Sequence, residues 1–176
     1  MFRAMDQRPG EAAPRRGWHP GLLGDVVALQ ARYYADAWGF GRVFEAKLAR
    51  EMAAFAGRYD PRQDLILSSE VGSRTTGSIT IDGSDPEAPG GFLHLRWFIL
   101  GNGSRGHGIG RSLLEEGLAF ARSTRRPGIY LWTFAGLDAA RRLYDGAGFR
   151  LVEEHAGDTW GTRVTEQRFV LDLVPA

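Results

Sequence analysis

The segment Gly103-Ser104-Arg105-Gly106-His107-Gly108-Ile109-Gly110 combines residue types and spacing that suggest anion chemistry. It follows an apolar run, Phe92–Leu100, and precedes an amphipathic one, Arg111–Ser123. A strand passing through a glycine-rich turn into a helix is a ready anion site. Glycines permit positive φ and close main-chain approach, and the first helical turn offers N–H groups at the positive end of the helix dipole. Arg105 and Arg111 add guanidinium groups able to face phosphate. On the residues alone, a glycine-rich turn that holds nothing is the other reading. A dinucleotide fingerprint fits worse: G-x-G-x-x-G counted from Gly106 ends on Arg111, and from Gly108 on Leu113. The Gly-Lys-Ser/Thr of a P-loop is absent.

Aromatic residues supply candidate walls for a second pocket: Tyr34, Trp38, Phe40, Phe44, Trp97, Trp132 and Trp160. At helical spacing such residues serve a core as readily as a pocket. Arg96, Asp82 and Glu166 are charged groups in or beside expected strands, able to orient a small polar substrate or to form ion pairs. There is no cysteine, which removes disulfides, thiolate metal ligands and a cysteine nucleophile. No metal site is expected.

The elements that must position these groups are readable from periodicity. Leu22, Val26, Leu29 and Tyr33 predict a helix over 22–34, and Phe44, Leu48, Met52 and Phe55 a second one. Asp60-Pro61 stops it, because the residue before proline disfavours helix. Strands are expected at Leu65–Ser69, Gly77–Ile81, Phe92–Leu100, Ile129–Phe134, Phe149–Glu154 and Glu166–Leu173. Helices are expected at Arg111–Ser123 and Asp138–Gly146, the latter stopped by Gly148. The order predicts an α/β fold with a mixed sheet. Residues 1–17, rich in arginine and proline, are expected to be a disordered tail, and 18–176 a single domain.

Bulk composition excludes more than it assigns. Apolar residues are 43%, charged residues 24%, and net charge is +1. Nothing there favours nucleic acid or a membrane surface. No apolar run approaches the ~20 residues that span a bilayer, and no signal-peptide core is visible. A cytoplasmic protein is expected.

Two motifs together carry a family resemblance. Arg105, Gly108 and Gly110 match Arg/Gln-x-x-Gly-x-Gly/Ala, and Leu143-Tyr144-Asp145-Gly146-Ala147-Gly148-Phe149 matches Leu-Tyr-x-x-x-Gly-Phe, in the order and at about the separation found in the GNAT N-acetyltransferase superfamily. The resemblance runs from about Trp18 to Val174. More narrowly, Tyr34–Glu45, Leu95–Ile99, Leu131–Leu143 and Trp160–Phe169 look like the acetyltransferase half of MarR–GNAT fusion proteins, without a MarR part, so no DNA binding is expected.

The resemblance implies a GNAT fold, a mostly antiparallel mixed sheet flanked by helices. It implies acetyl-CoA as cofactor, bound by the main chain of Phe98, Ile99 and Leu100 and by Arg105, Gly106, His107, Gly108, Ile109, Gly110, Arg111 and Ser112. The Phe98 N–H would meet the thioester oxygen. Tyr144 would protonate the departing thiolate, since a phenol of pKa ~10 stays protonated at neutral pH. Family members often carry Asn where Leu137 stands, so Asp138 is expected to cap that helix instead. A glutamate base found in some family members, eleven residues before the motif's Arg/Gln, maps onto His94, with a water chain or Glu166 as the rival base. Histidine is a competent base near pH 7 and predicts an ascending limb with an apparent pKa between about 6 and 7.5. Regular alternation would put His94, Arg96 and Phe98 on one face. Substrate contacts are expected from Trp38, Phe40, Arg96, Trp132 and Glu166. The implied activity is acetyl transfer to a small-molecule or amino-acid-like amine. Protein lysine or N-terminal acetylation and a weakly catalytic acyl-CoA sensor are the alternatives, and a homodimer is an implied assembly.

Overall fold

The computed structural model describes residues 13–104 and 106–173. The elements are β1 (Arg15–Arg16), α1 (Leu22–Trp38), α2 (Arg42–Arg58), β2 (Leu65–Val71), β3 (Arg74–Asp82), β4 (Leu93–Leu100), α3 (Ile109–Ser123), β5 (Gly128–Phe134), α4 (Asp138–Gly146), β6 (Arg150–Gly157) and β7 (Val164–Asp172). They build a seven-stranded sheet in the order β1-β2-β3-β4-β5-β7-β6. Among the described residues only β4 and β5 pair in parallel. This is the expected mixed, mostly antiparallel α/β fold.

Each sheet face buries a different helix pair. Leu113, Leu114, Leu118 and Ala121 of α3 pack with Leu65, Leu67, Ile79, Ile81, Leu93 and Leu95 on one face. On the other, Leu22 and Val26 of α1 and Phe44, Leu48, Met52 and Phe55 of α2 surround Ile66, Trp97 and Phe134. The i, i+3/i+4 spacing of these residues is why both helix pairs form and which way they turn.

Some boundaries moved. The expected disordered tail is divided: residues 1–12 lie outside the described residues, whereas Arg15 and Arg16 pair with Ser68 and Leu67 as an edge strand. Such a strand is held by main-chain bonds and leaves no hydrophobic period to read. Helix α1 runs four residues past its expected end, to Trp38, where Gly39 (φ 67) turns the chain with its N–H on the Ala35 carbonyl at 3.0 Å. Asp138 does not cap α4; Leu137 occupies the cap position, and no side chain caps that end among the described residues.

The C-terminus of α4 explains the Leu-Tyr-x-x-x-Gly-Phe motif physically. Gly148 (φ 92) donates to the Asp145 carbonyl at 3.1 Å, and Phe149 to the Tyr144 carbonyl at 3.0 Å. This is a Schellman stop, with its usual apolar contact: the Tyr144 and Phe149 rings lie 5.7 Å apart. The glycine therefore anchors the tyrosine.

Strand β4 is irregular. Thr80 pairs with Arg96 and Ser78 with Ile99, so Trp97 and Phe98 together oppose Ile79. This bulge places Trp97 at φ 49, unusual for a non-glycine residue. It also reverses the faces. Leu93 and Leu95 face α3, Trp97 faces α1 and α2, and Phe98 and Leu100 return to the α3 side. The expectation that His94, Arg96 and Phe98 share a face is thus corrected: Phe98 lies opposite Arg96, whose guanidinium meets Glu51 of α2 at 2.7 Å.

Candidate active site

Strands β4 and β5 pair at only two positions, Leu93 with Ile129 and His94 with Tyr130. Beyond these, β4 follows β3 to Leu100 while β5 follows β7 to Phe134. The divergence opens a cleft of about 660 Å³ between them. From Leu95 onward, β4 has no neighbouring strand on the side of β5 among the described residues.

The bulge decides which main-chain group looks into this cleft. The Ser78 hydroxyl donates to the Trp97 carbonyl at 2.9 Å, so that carbonyl points towards β3. No peptide among the described residues is cis. In a planar trans peptide the carbonyl and the following N–H point in opposite directions. The Phe98 N–H is therefore directed away from β3 and into the divergence. Tyr144 lines the same cleft. It is 5% exposed, with its ring 6.2 Å from Phe98 and 6.0 Å from Phe169. Burial, with a smaller contribution from Tyr34, pushes its pKa above the ordinary tyrosine value, so it is protonated at neutral pH.

The glycine segment lies beyond the end of β4. Gly106 (φ 81) and Gly108 (φ 78) take conformations that suit glycine, and an added Cβ at either would meet nothing within 4 Å. Both are open to an approaching group. Gly110 is different: it is buried, and an added Cβ would lie 2.9 Å from Leu100 and 3.4 Å from Leu143. Its lack of a side chain serves helix packing, while its N–H belongs to the first turn of α3. No side chain caps that turn among the described residues. Arg111 and Ser112 are exposed on it. Arg105 lies outside the described residues.

At the closed end of the cleft, His94 forms part of a cluster that periodicity did not reveal. Its Nδ1 is 2.7 Å from Asp85 Oδ2, and the Tyr130 hydroxyl donates to the same oxygen at 3.0 Å. The two rings stack at 4.2 Å. Donation from Nδ1 to a carboxylate leaves Nε2 as the basic nitrogen. Burial pushes the His94 pKa below its ordinary value, against the raising effect of Asp85. The His94 hydrogen bond holds the Asp85 carboxyl well below the usual carboxylate range. Asp85 sits in the Asp/Gly/Pro-rich loop before β4, where the sequence shows a turn but not what it reaches.

Other expected substrate residues divide. Arg96, Trp132 and Glu166 line the cleft, with Tyr34, Phe44 and Trp160. Arg96 is engaged by Glu51 at 2.7 Å and Asp82 at 3.3 Å. Glu166 accepts the N–H and hydroxyl of Thr159 at 2.8 and 2.9 Å, which holds the loop before β7. Trp38 and Phe40 do not line the cleft. Phe40 is buried against Tyr34, Phe44 and Phe134, and Trp38 packs edge-on to Phe134 at 4.9 Å. The left-handed Gly39 turns Phe40 back into the core. Gln30 of α1 also lines the cleft. It is 5% exposed, and its Nε2 has no partner among the described residues.

Comparison with known proteins agrees with this architecture. No curated protein sequence matches the chain. Among solved structures it is similar to a ribosomal-protein-alanine N-acetyltransferase from Brucella melitensis, at TM-score 0.70 and 17% identity, covering 92% of this chain and 99% of that one. It is also similar to a GNAT-family acetyltransferase from Staphylococcus aureus MU50, at 0.69 and 15%, covering 92% and 100%. A third likeness is to yncA from Salmonella typhimurium with its cofactor acetyl-CoA, at 0.64 and 16%, covering 94% and 96%. The profile of the acetyltransferase (GNAT) family matches residues 25–149. With most of its length so matched, the chain belongs to that family: it is an N-acetyltransferase whose cosubstrate is acetyl-CoA.

Proposed function

We propose that this protein acetylates the primary amine of a small molecule or amino-acid-like compound held in the cleft between β4 and β5. The observation that carries the reading is the Phe98 N–H directed into a 660 Å³ cleft at the divergence of the two strands. That volume falls within the range of small-molecule sites, ~300–1,000 Å³. The narrower likeness to the acetyltransferase half of MarR–GNAT fusions belongs to the same proposal and adds no nucleic-acid partner.

The residues present fit acetyl-CoA. The open φ-positive Gly106 and Gly108 and the start of α3, which no side chain caps among the described residues, suit a pyrophosphate, with His107, Ile109, Gly110, Arg111 and Ser112 beside them; Arg105, outside the described residues, joins this set on the motif alone. The main chain of Phe98, Ile99 and Leu100 suits the pantetheine arm. Bound there, the cofactor supplies an acetyl thioester. The Phe98 N–H stabilises negative charge on the thioester oxygen as the amine attacks. Tyr144 donates a hydrogen bond to the departing sulfur. Its raised pKa makes it a poorer acid than an ordinary phenol, so hydrogen bonding rather than full proton transfer is its main contribution.

His94 takes the proton from the acceptor ammonium. Four residues of strand, at ~3.3 Å each, separate it from Phe98, so it acts through water in the cleft rather than by direct contact with the attacking nitrogen. Asp85 fixes its tautomer and ring orientation. Arg96, Trp132 and Glu166 border the acceptor. The test is turnover: incubate the protein with acetyl-CoA and a panel of small amines and follow thiol release. Cofactor binding with no turnover on any amine, while an N-terminal or lysine peptide is acetylated, would move the acceptor to proteins. No turnover on either would favour a sensor.

A further inference from the structure

We propose that Gln30 is a cofactor-binding residue whose side-chain amide donates a hydrogen bond to a carbonyl oxygen of the acyl-pantetheine arm. This rests on the placement of that arm along β4 proposed above.

Leu22, Val26 and Gln30 are buried at i, i+4 and i+8 on one stripe of α1. The first two fill the core beneath the helix. The third puts a primary amide where an apolar residue would be expected, and its Nε2 has no protein partner among the described residues. A buried donor left without an acceptor is costly to the fold, and such groups in native structures call for an explanation. Gln30 lines the cleft, so a ligand can supply the missing acceptor.

Its place along α1 indicates which ligand. Leu29, its neighbour, reaches within 3.4 Å of the position a Cβ would take on Gly101, at the end of β4. Tyr34, one helical turn on, packs against Phe134 at the end of β5, ring centroids 5.7 Å apart. Gln30 thus stands over the divergence itself. His94 lies at the closed end of the cleft and Glu166 on the far side, beyond β5. An N–H donor needs an acceptor oxygen. A protonated amine substrate offers none at its reacting nitrogen, whereas the arm carries neutral carbonyls, one in the thioester and the others in its amides.

The test uses Gln30→Met, which keeps length and volume but removes the donor. Calorimetry with acetyl-CoA and with free CoA reads affinity, and thermal unfolding reads the ligand-free protein. The expected result is a pair of opposite effects. Cofactor affinity falls about 2- to 10-fold, the worth of one neutral hydrogen bond. The ligand-free variant melts about 2 °C or more above wild type, because an unsatisfied buried group is gone. Loss with both ligands assigns the bond to a pantetheine amide, and loss with acetyl-CoA alone assigns it to the thioester. Unchanged affinity for both overturns the proposal, whatever happens to the KM of the amine. Failure of the wild type to bind acetyl-CoA at all would instead remove the placement on which it rests. Should the variant not fold, the side-chain NH₂ resonances of Gln30 in the wild type decide: they shift on saturation with CoA or acetyl-CoA, and unmoved resonances overturn the assignment.

Discussion

Replacing Ser78 by alanine tests whether one peptide orientation governs catalysis. Ser78 is 1% exposed and does not itself line the cleft, which it reaches only through Trp97. Its hydroxyl donates at 2.9 Å to the Trp97 carbonyl, at the bulge between β3 and β4. Without that donor a buried acceptor is orphaned, at about 1–3 kcal/mol. For a chain of this size that lowers Tm by roughly 2–4 °C per kcal/mol. Trp97 sits at φ 49, a conformation costing about 1–3 kcal/mol for a non-glycine residue, so the bond helps hold a strained peptide. Once released, the peptide between Trp97 and Phe98 can rotate, and the Phe98 N–H then leaves the cleft for part of the time. Complete loss of one such donor costs ~10²–10³ in kcat, which is the ceiling; about a tenfold fall is expected from partial rotation. Acetyl-CoA affinity should fall less than kcat, because the glycine segment proposed for the pyrophosphate is untouched and only one main-chain contact to the arm is disturbed. Thiol release gives kcat, calorimetry gives Kd, and a melting curve checks the fold. A variant with the expected lower Tm but wild-type kcat would refute the argument, since it would show that turnover does not depend on where that N–H points.

The other expectations concern the side chains and the glycine turn. Tyr144→Phe should lower kcat by about 10- to 10²-fold, the worth of one hydrogen bond to a charged group, because burial has weakened this phenol as an acid and leaves it chiefly a hydrogen-bond donor; cofactor affinity should stay within about twofold, and wild-type turnover would make the tyrosine a packing residue only. For His94, burial keeps the imidazole neutral to lower pH than usual, so the ascending limb of kcat/KM should lie below ~6.5, rather than reaching up to 7.5. Asp85→Asn removes an interaction that raises the His94 pKa, so the limb should move to still lower pH and the plateau should fall; a profile overlaying wild type would remove Asp85 from the proton path. The depressed His94 pKa also means that the fold loses stability as pH falls through ~6.5 and the unfolded chain takes up the proton, which melting curves at pH 7.5 and 5.5 can read. Gly108→Ala and Gly110→Ala differ in what they add to a loss of stability: the first, strained at φ 78 by roughly 1–2 kcal/mol, also puts a Cβ in the open space over the turn and should weaken acetyl-CoA beyond its fall in Tm, whereas the second drives a Cβ to 2.9 Å from Leu100 and should chiefly lower Tm.

Much of this architecture is legible in the chain because its signals are local. The 3.6-residue periods of α1, α2 and α3, and the glycine that stops α4, each depend on residues within a turn or two of one another. Features that join distant segments left no such mark. In Phe92–Leu100 nearly every position is apolar or aromatic and the strand is covered on both faces, so its pattern looks the same with or without a bulge. The bulge became visible only from the pairing with β3, and it moved Phe98 to the face opposite Arg96. Asp85 reaches His94 across a loop whose composition announces a turn and nothing more. Trp38 and Phe40 carried the right residue types for a pocket, but a left-handed Gly39 between them folds Phe40 inward. The division has a physical cause. Residue type specifies what a side chain can do, whereas the proposed stabilising donor is a main-chain N–H whose direction is set by a serine on the neighbouring strand. A search for catalytic residue types would pass over both Phe98 and Ser78. Substitutions that preserve every candidate acid and base but regularise β4 should therefore reduce turnover, through the backbone alone.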